Sequence, residues 1–217
     1  MNRELTLRTL SSLAIGFVFI FAIHGSFFLF LTLMLVLLTM MLREWFFITG
    51  QNIKDLLIGV AAISVAILSL LFVKIFSSYG DILIWYFIII WTFDVMAMLG
   101  GKFMGGRKIA EVISPQKTWS GMLAGVYFAS ITSSIYFHLC GKYELKSYKL
   151  IEISNIFSCF LIALFAHCGD LFESYYKRKY RIKDSGSVIP GHGGVLDRFD
   201  SIIFSAPLLL IILCFKV

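Results

Sequence analysis

Seven long apolar runs, separated by polar segments, set the pattern of this chain. They cover Leu10 to Ile23, Phe27 to Leu42, Leu56 to Phe76, Ile82 to Leu99, Met122 to Leu139, Leu150 to Cys168 and Ile202 to Phe215. Crossing a bilayer takes about 20 residues of α-helix, so the first two runs must borrow flanking residues. Backbone groups at membrane depth have no water to bond. The runs are therefore predicted to be helices, and the glycine-rich segments are expected in protein or water rather than lipid. The fold class that follows is all-α: a polytopic integral membrane protein of about seven transmembrane helices with two cytoplasmic polar loops, Gly100 to Gly121 and Gly169 to Ser201. An odd number of spans puts the two ends on opposite sides. Treating the first two runs as a re-entrant pair would leave the sidedness downstream unchanged.

Composition strengthens this picture. Of 217 residues, 59% are hydrophobic, and the mean hydropathy is +0.88, well above that of a soluble domain. Three prolines and no Ser/Gly/Pro-rich linker give a single membrane domain over residues 1–217, with N-terminal helices in 1–81 and the helices and loops that carry the chemistry in 82–217. The formal charge of +6 does not indicate nucleic acid, because the basic residues sit between spans and not on a soluble face. With the N-terminus inside, fourteen of the nineteen Lys and Arg residues fall on the inner side. Both long loops then face the cytoplasm, and a bacterial cytoplasmic (inner) membrane is the expected location. The first run follows Arg3 and Arg8 as a signal peptide would, but no small-x-small site follows it, so a retained hairpin is expected. Cys140, Cys159, Cys168 and Cys214 contain no CxxC pair and read as small core hydrophobes. Arg43 and Glu44, beside Trp45 and two phenylalanines, read as an interfacial anchor.

The most polar stretch is Ser174 to Asp200, SYYKRKYRIKDSGSVIPGHGGVLDRFD. A loop of this length and charge between two apolar runs suggests a water-filled site for an anion and a metal. Asp170 precedes it in His167-Cys168-Gly169-Asp170, at the expected end of the sixth run. Asp197 and Asp200 close it at i, i+3 spacing. Two carboxylates brought together by such an excursion suit a hard divalent cation such as Mg²⁺, which keeps further positions for water and phosphate oxygens. Asp200 at a helix N-terminus also complements the dipole with no metal. His192, in a glycine loop, suits a phosphate contact or local hydrogen bonding rather than proton transfer. The Lys177 to Lys183 run reads as a positive-inside determinant that meets anionic headgroups and helps bind an anionic substrate.

Two further segments carry candidate chemistry. Asp94 lies inside the fourth run, where a carboxylate is either paired to a cation or lines a polar cavity. The glycine-rich, basic segment from Gly100 to Lys108 follows it, without Walker A spacing. Ser114-Pro115-Gln116-Lys117-Thr118-Trp119-Ser120-Gly121 reads either as a capped helix start or as an anion site at a helix N-terminus.

Together these segments resemble the phosphatidate cytidylyltransferases, the CDP-diacylglycerol synthases. The Ser174 to Asp200 stretch is similar to that family's signature nearly residue for residue. SPQKTWSG, Asp94 with its glycines, and GDLFES at Gly169 to Ser174 match further blocks in the same order. The resemblance runs from about Ile82 to the C-terminus; before it, only general hydrophobicity and Arg43-Glu44-Trp45 agree. Tyr176, Ser120 and Met98 depart from the family's usual residues, and Ser120 removes an acidic group often found there. The resemblance implies transfer of CMP from CTP to phosphatidate, with Mg²⁺ as cofactor and membrane lipid as partner. It also implies Asp170 and Asp197 as metal ligands, catalysis by these two with Lys117, and substrate contacts from Ser114, Thr118, Lys183, Arg198, Asp94 and His192. A homodimer is compatible with this reading. A CTP-dependent enzyme acting on another lipid phosphate or polyprenol is the enzymatic alternative. A small anion transporter is the other, although the outer halves of the spans are apolar where a transport path needs polar groups.

Overall fold

The computed structural model describes residues 3–76, 81–140, 155–188 and 193–214. Seven long helices dominate: α1 (Arg3–His24), α2 (Phe27–Thr49), α3 (Ile53–Phe76), α4 (Asp81–Met104), α5 (Trp119–Cys140), α6 (Asn155–Lys179) and α8 (Ile202–Cys214). A short ribbon, β1 (Lys108–Ala110) paired antiparallel with β2 (Ser114–Thr118), sits between α4 and α5, and the one-turn α7 (Leu196–Phe199) precedes α8. Each expected apolar run coincides with one long helix. Residues 150–154 at the start of the sixth run, the outer lysines Lys142, Lys146, Lys149 and Lys216, and His192 lie outside the described residues.

Among the described residues, five helices are long and apolar enough to cross a membrane, α2 to α6. Their outward faces carry large apolar side chains such as Phe28, Val65, Leu68 and Leu123, the surface expected against lipid and not against water. Hydroxyls on these helices bond to the preceding turn, as in Thr32 to the Phe28 carbonyl (2.8 Å) and Ser69 to that of Val65 (2.7 Å). This gives each polar group a partner within its own helix.

The helices pack through a few close approaches. On α4 and α5, Gly100, Gly121 and Gly125 lie where the opposite helix leaves no room for a side chain; a Cβ on Gly125 would stand 2.9 Å from the Phe93 carbonyl oxygen. Trp45 of α2 lies fully buried, stacked on Phe172 (5.6 Å between ring centroids) and edge-on to Tyr176 (4.8 Å) of α6. Its indole N–H reaches the carbonyls of Asp55 and Leu56 on α3, at 3.2 and 3.3 Å. Trp45 thus joins α2, α3 and α6 at one end of the bundle, and Tyr176, a departure from the family's usual residue, packs there.

Two local features differ from the sequence expectation. The polar loop after α4 is partly extended, because Gly105 (φ 62°) and Gly106 (φ 104°) end the helix in the left-handed region and the ribbon then carries the chain to α5. The second difference concerns Asp170. It lies inside α6 and not at a helix end, since α6 runs nine residues further to Lys179. The i, i+4 pair of Glu173 with Lys177 and the lysines at the C-terminal end favour that extension. The helix stops at Arg181, whose φ is 57°. There the Ile182 N–H bonds to the Lys177 carbonyl (2.9 Å) and the Arg181 N–H to that of Arg178 (3.1 Å), the paired bonds of a Schellman motif.

Candidate active site

Three of the segments expected on the inner side, the α2–α3 connection and the two long polar loops, meet at one end of the bundle. Asp55, at the start of α3, accepts hydrogen bonds from Lys179 and from the Tyr180 hydroxyl (2.6 Å). Arg178 Nε donates to the carbonyl of Ile113 in the ribbon turn (3.3 Å). Lys117, on β2, lies 2.9 Å from Asp170 on α6. At the other end, Lys74 of α3 donates to the Ile23 carbonyl of α1.

Asp170, Glu173 and Lys177 occupy one face of α6 at spacings of three and four residues. The Lys177 ammonium is held by two carboxylates, 2.7 Å from Glu173 Oε2 and 2.6 Å from Asp197 Oδ1. Asp197 Oδ2 accepts from the Ser185 N–H (2.9 Å), the Ser185 hydroxyl (3.0 Å) and the Gly194 N–H (2.9 Å). Burial works against ionisation of Asp197, but the Lys177 ammonium and the Gly194 and Ser185 N–H groups outweigh it, so its carboxyl lies below the usual carboxylate range. Of the two carboxylates expected to share a cation, Asp170 is therefore paired with Lys117 and Asp197 with Lys177.

Asp200 is different. Burial first, then the charges of Asp170 and Glu173, a hydrogen bond to Glu173, and Asp94 push its carboxyl well above the usual range. Glu173 Oε1 is buried without another hydrogen-bond partner. A proton on Asp200 that bridges to Glu173 satisfies both groups. Asp94 is an accessible residue of α4, in electrostatic range of Asp170, Lys117 and Arg198. It makes no ion pair within 4 Å among the described residues, which favours the cavity-lining reading over a structural ion pair.

The remaining expected site residues fall as follows. Thr118 is buried, and its hydroxyl accepts the Gly121 N–H (3.1 Å), so it caps α5. Ser114 begins β2 opposite Ala110. Lys183 and Arg198 are exposed, Lys183 in the loop after α6 and Arg198 on α7, next to Asp197 in sequence. Glu173 and Ser185 were not singled out from sequence, and Lys177 was read only as part of a basic run meeting headgroups and anionic substrate, not as the partner of Glu173 and Asp197. The spacing of Asp170, Glu173 and Lys177 on one helical face was a readable signal, whereas the contacts of Ser185 depend on tertiary folding.

Among the described residues, no group of three or more His, Cys, Asp or Glu side chains closes around a metal position. What the site offers instead is a set of carboxylate oxygens with two ammonium groups at one end of a helical bundle. These are hard donors, suited to an ion that keeps its own waters and shares ligands with phosphate.

Fold and site together define an integral membrane protein with a charged, oxygen-rich site at one end of its helices. The chain belongs to the cytidylyltransferase family, which it matches over residues 55–215. It is 43% identical over 209 residues to a protein of Rickettsia bellii named phosphatidate cytidylyltransferase, covering 96% of this chain and 90% of the relative. The relative of the same name from Rickettsia prowazekii is 42% identical, with 95% and 90% covered. One from Helicobacter pylori is 43% identical over 66% of this chain and 53% of its own length.

Proposed function

We infer that the chain is a phosphatidate cytidylyltransferase: it transfers CMP from CTP to phosphatidate, giving CDP-diacylglycerol and pyrophosphate in phospholipid synthesis. Identity of 43% along nearly the whole of a relative bearing that name supports the substrates. The observation that carries the site is the 2.9 Å contact between Lys117 and Asp170, which unites the SPQKT and GDLFES segments. In the reaction, an oxygen of the lipid phosphate attacks the α-phosphorus of CTP and the bond to the β-phosphate oxygen breaks. Pyrophosphate leaves with that electron pair. No protein nucleophile is required, so the protein positions the reactants and neutralises their charge.

Lys117 is placed to meet phosphate oxygens at the start of α5, with Lys183 and Arg198 at the rim as further phosphate contacts. Ser114 and Asp94 line the approach, and Thr118 holds the α5 N-terminus in place through its cap. The carboxylate oxygens of Asp170 and Asp197, hard donors at the end of the bundle, fit Mg²⁺. Asp170 and Asp197 would hold the ion, Asp197 once Lys177 releases its Oδ1, with Asp94 and Asp200 in electrostatic range of Asp170. When bound, the ion offsets charge on the phosphates and on the departing pyrophosphate.

In this account α1 and α8 complete seven spans, and the site end of the bundle faces the cytoplasm of an inner membrane. CTP arrives from water and the lipid enters from the leaflet. The test is a comparison of lipids with purified protein in detergent micelles containing CTP and Mg²⁺. Pyrophosphate and a CDP-lipid should form with phosphatidate and not with a polyprenyl phosphate; the reverse preference would reject the substrate assignment.

A further inference from the structure

Glu44 contradicts the plain reading of an interfacial anchor. It lies on α2, outside residues 55–215, and is only 6% exposed. A carboxylate in such a place must be hydrogen-bonded to persist, and all its partners come from the far end of the chain. Oε1 accepts the Val195 N–H (2.9 Å), and Oε2 accepts the Leu196 N–H (2.8 Å) and the Ser185 hydroxyl (2.8 Å). The loop is shaped to admit it. A Cβ on Gly186 would stand 2.8 Å from Oε1, and one on Gly194 would stand 2.5 Å from Oε2. The Ser185 hydroxyl that meets Glu44 is also 3.0 Å from Asp197 Oδ2. One hydroxyl therefore spans two carboxylates; it donates to only one at a time.

We propose that Glu44 is a positioning residue for the catalytic loop: through Ser185 and the N–H groups of Val195 and Leu196, it sets where Asp197 is presented to metal and phosphate. This rests on the proposed function for its metal readout and on geometry alone for its effect on the loop. Glu44 touches no reacting atom. Its contribution is to hold the two sides of the loop, residues 185–186 and 194–196, on a rigid helix, so that Asp197 need not be ordered when substrates bind. A glutamine at this position keeps the shape but turns an amide NH₂ toward N–H or hydroxyl donors, which breaks the cradle.

The experiment uses the full chain in detergent, as wild type, Glu44→Gln and Ser185→Ala. Two quantities are read: trypsin cleavage at Arg181 and Lys183, with Arg107 and Lys108 in the ribbon as an internal reference, and the Mg²⁺ concentration giving half-maximal pyrophosphate release. Glu44→Gln should speed cleavage at Arg181 and Lys183 but not at Arg107 and Lys108. It should also raise the Mg²⁺ requirement about 10- to 100-fold, the effect typical of losing a group that orients a metal ligand. Ser185→Ala leaves Glu44 its two N–H partners and breaks only the bridge, so it should raise the Mg²⁺ requirement with little change in cleavage. Wild-type cleavage and Mg²⁺ dependence in Glu44→Gln would overturn the proposal. So would equal acceleration at all four cleavage positions, which indicates general loosening. If Glu44→Gln does not accumulate, an unchanged Mg²⁺ requirement in Ser185→Ala overturns it. Wild-type protein that releases no pyrophosphate would reject the enzymatic function instead, and the cleavage pattern would still decide the role of Glu44.

Discussion

Lys117 and Asp170, fifty-three residues apart in the chain, meet at 2.9 Å with about a fifth of each side chain still exposed. An ion pair left this open can exchange partners at modest cost, because water still reaches both charges. Lys117 is then available to phosphate and Asp170 to a cation. Lys117→Ala is expected to lower kcat/KM for CTP about 100- to 1,000-fold, the loss typical of removing one charge-stabilising donor, while the protein stays folded. Steady-state assays at varied CTP concentration, with a thermal unfolding control, check this.

Lys177 is the opposite case. It is buried between Glu173 and Asp197, with 12%, 0% and 9% of the three side chains exposed. Removing the ammonium strands two carboxylates where little water reaches them, so Lys177→Met should destabilise the fold by about 3 kcal/mol. The measurement is the midpoint of thermal unfolding in detergent. An unchanged midpoint would show that these carboxylates do not depend on Lys177.

Asp200 gives a pH dependence of definite sign. Its carboxyl titrates above the usual range in the fold because of burial and the neighbouring carboxylates, so the folded protein holds a proton that the unfolded chain gives up near pH 4. The stability carried by this group is complete below that pH and is lost as pH rises toward the folded value. Asp200→Asn keeps a neutral donor toward Glu173 and removes the penalty. Without Mg²⁺, the variant should unfold at a higher temperature than wild type at pH 8, and the difference should shrink toward pH 5.

Arg181 ends α6 in a conformation that glycine adopts more readily, at φ 57°. Arg181→Gly should raise stability by about 1 kcal/mol, read as a higher unfolding midpoint with unchanged turnover.

These positions also mark how far the sequence could be read. Apolar runs long enough to span a bilayer leave the chain little choice but helix, and each of the seven corresponds to one. The ends were harder to place, because a charged helical turn such as Glu173 to Lys177 looks like loop when hydrophobicity is the guide. That is why Asp170 was expected at a helix terminus and instead lies inside α6. The pairing of Lys117 with Asp170 joins two segments already singled out for their charge and glycines. Glu44 offered a weaker cue: beside Arg43 and a run of aromatics it reads as an interfacial anchor, and its partners lie at least 141 residues away. Contacts of that kind arise only when α2 and the loop after α6 pack together.

The central claim is tested most directly by CTP- and phosphatidate-dependent pyrophosphate release, measured across a Mg²⁺ titration for wild type and Asp170→Asn with both proteins shown to be folded. Wild type should be inactive without Mg²⁺ and saturate as it is added, and Asp170→Asn should lose at least about 1,000-fold in turnover at every Mg²⁺ concentration. Wild-type turnover in Asp170→Asn, or release of pyrophosphate that ignores Mg²⁺, would contradict it.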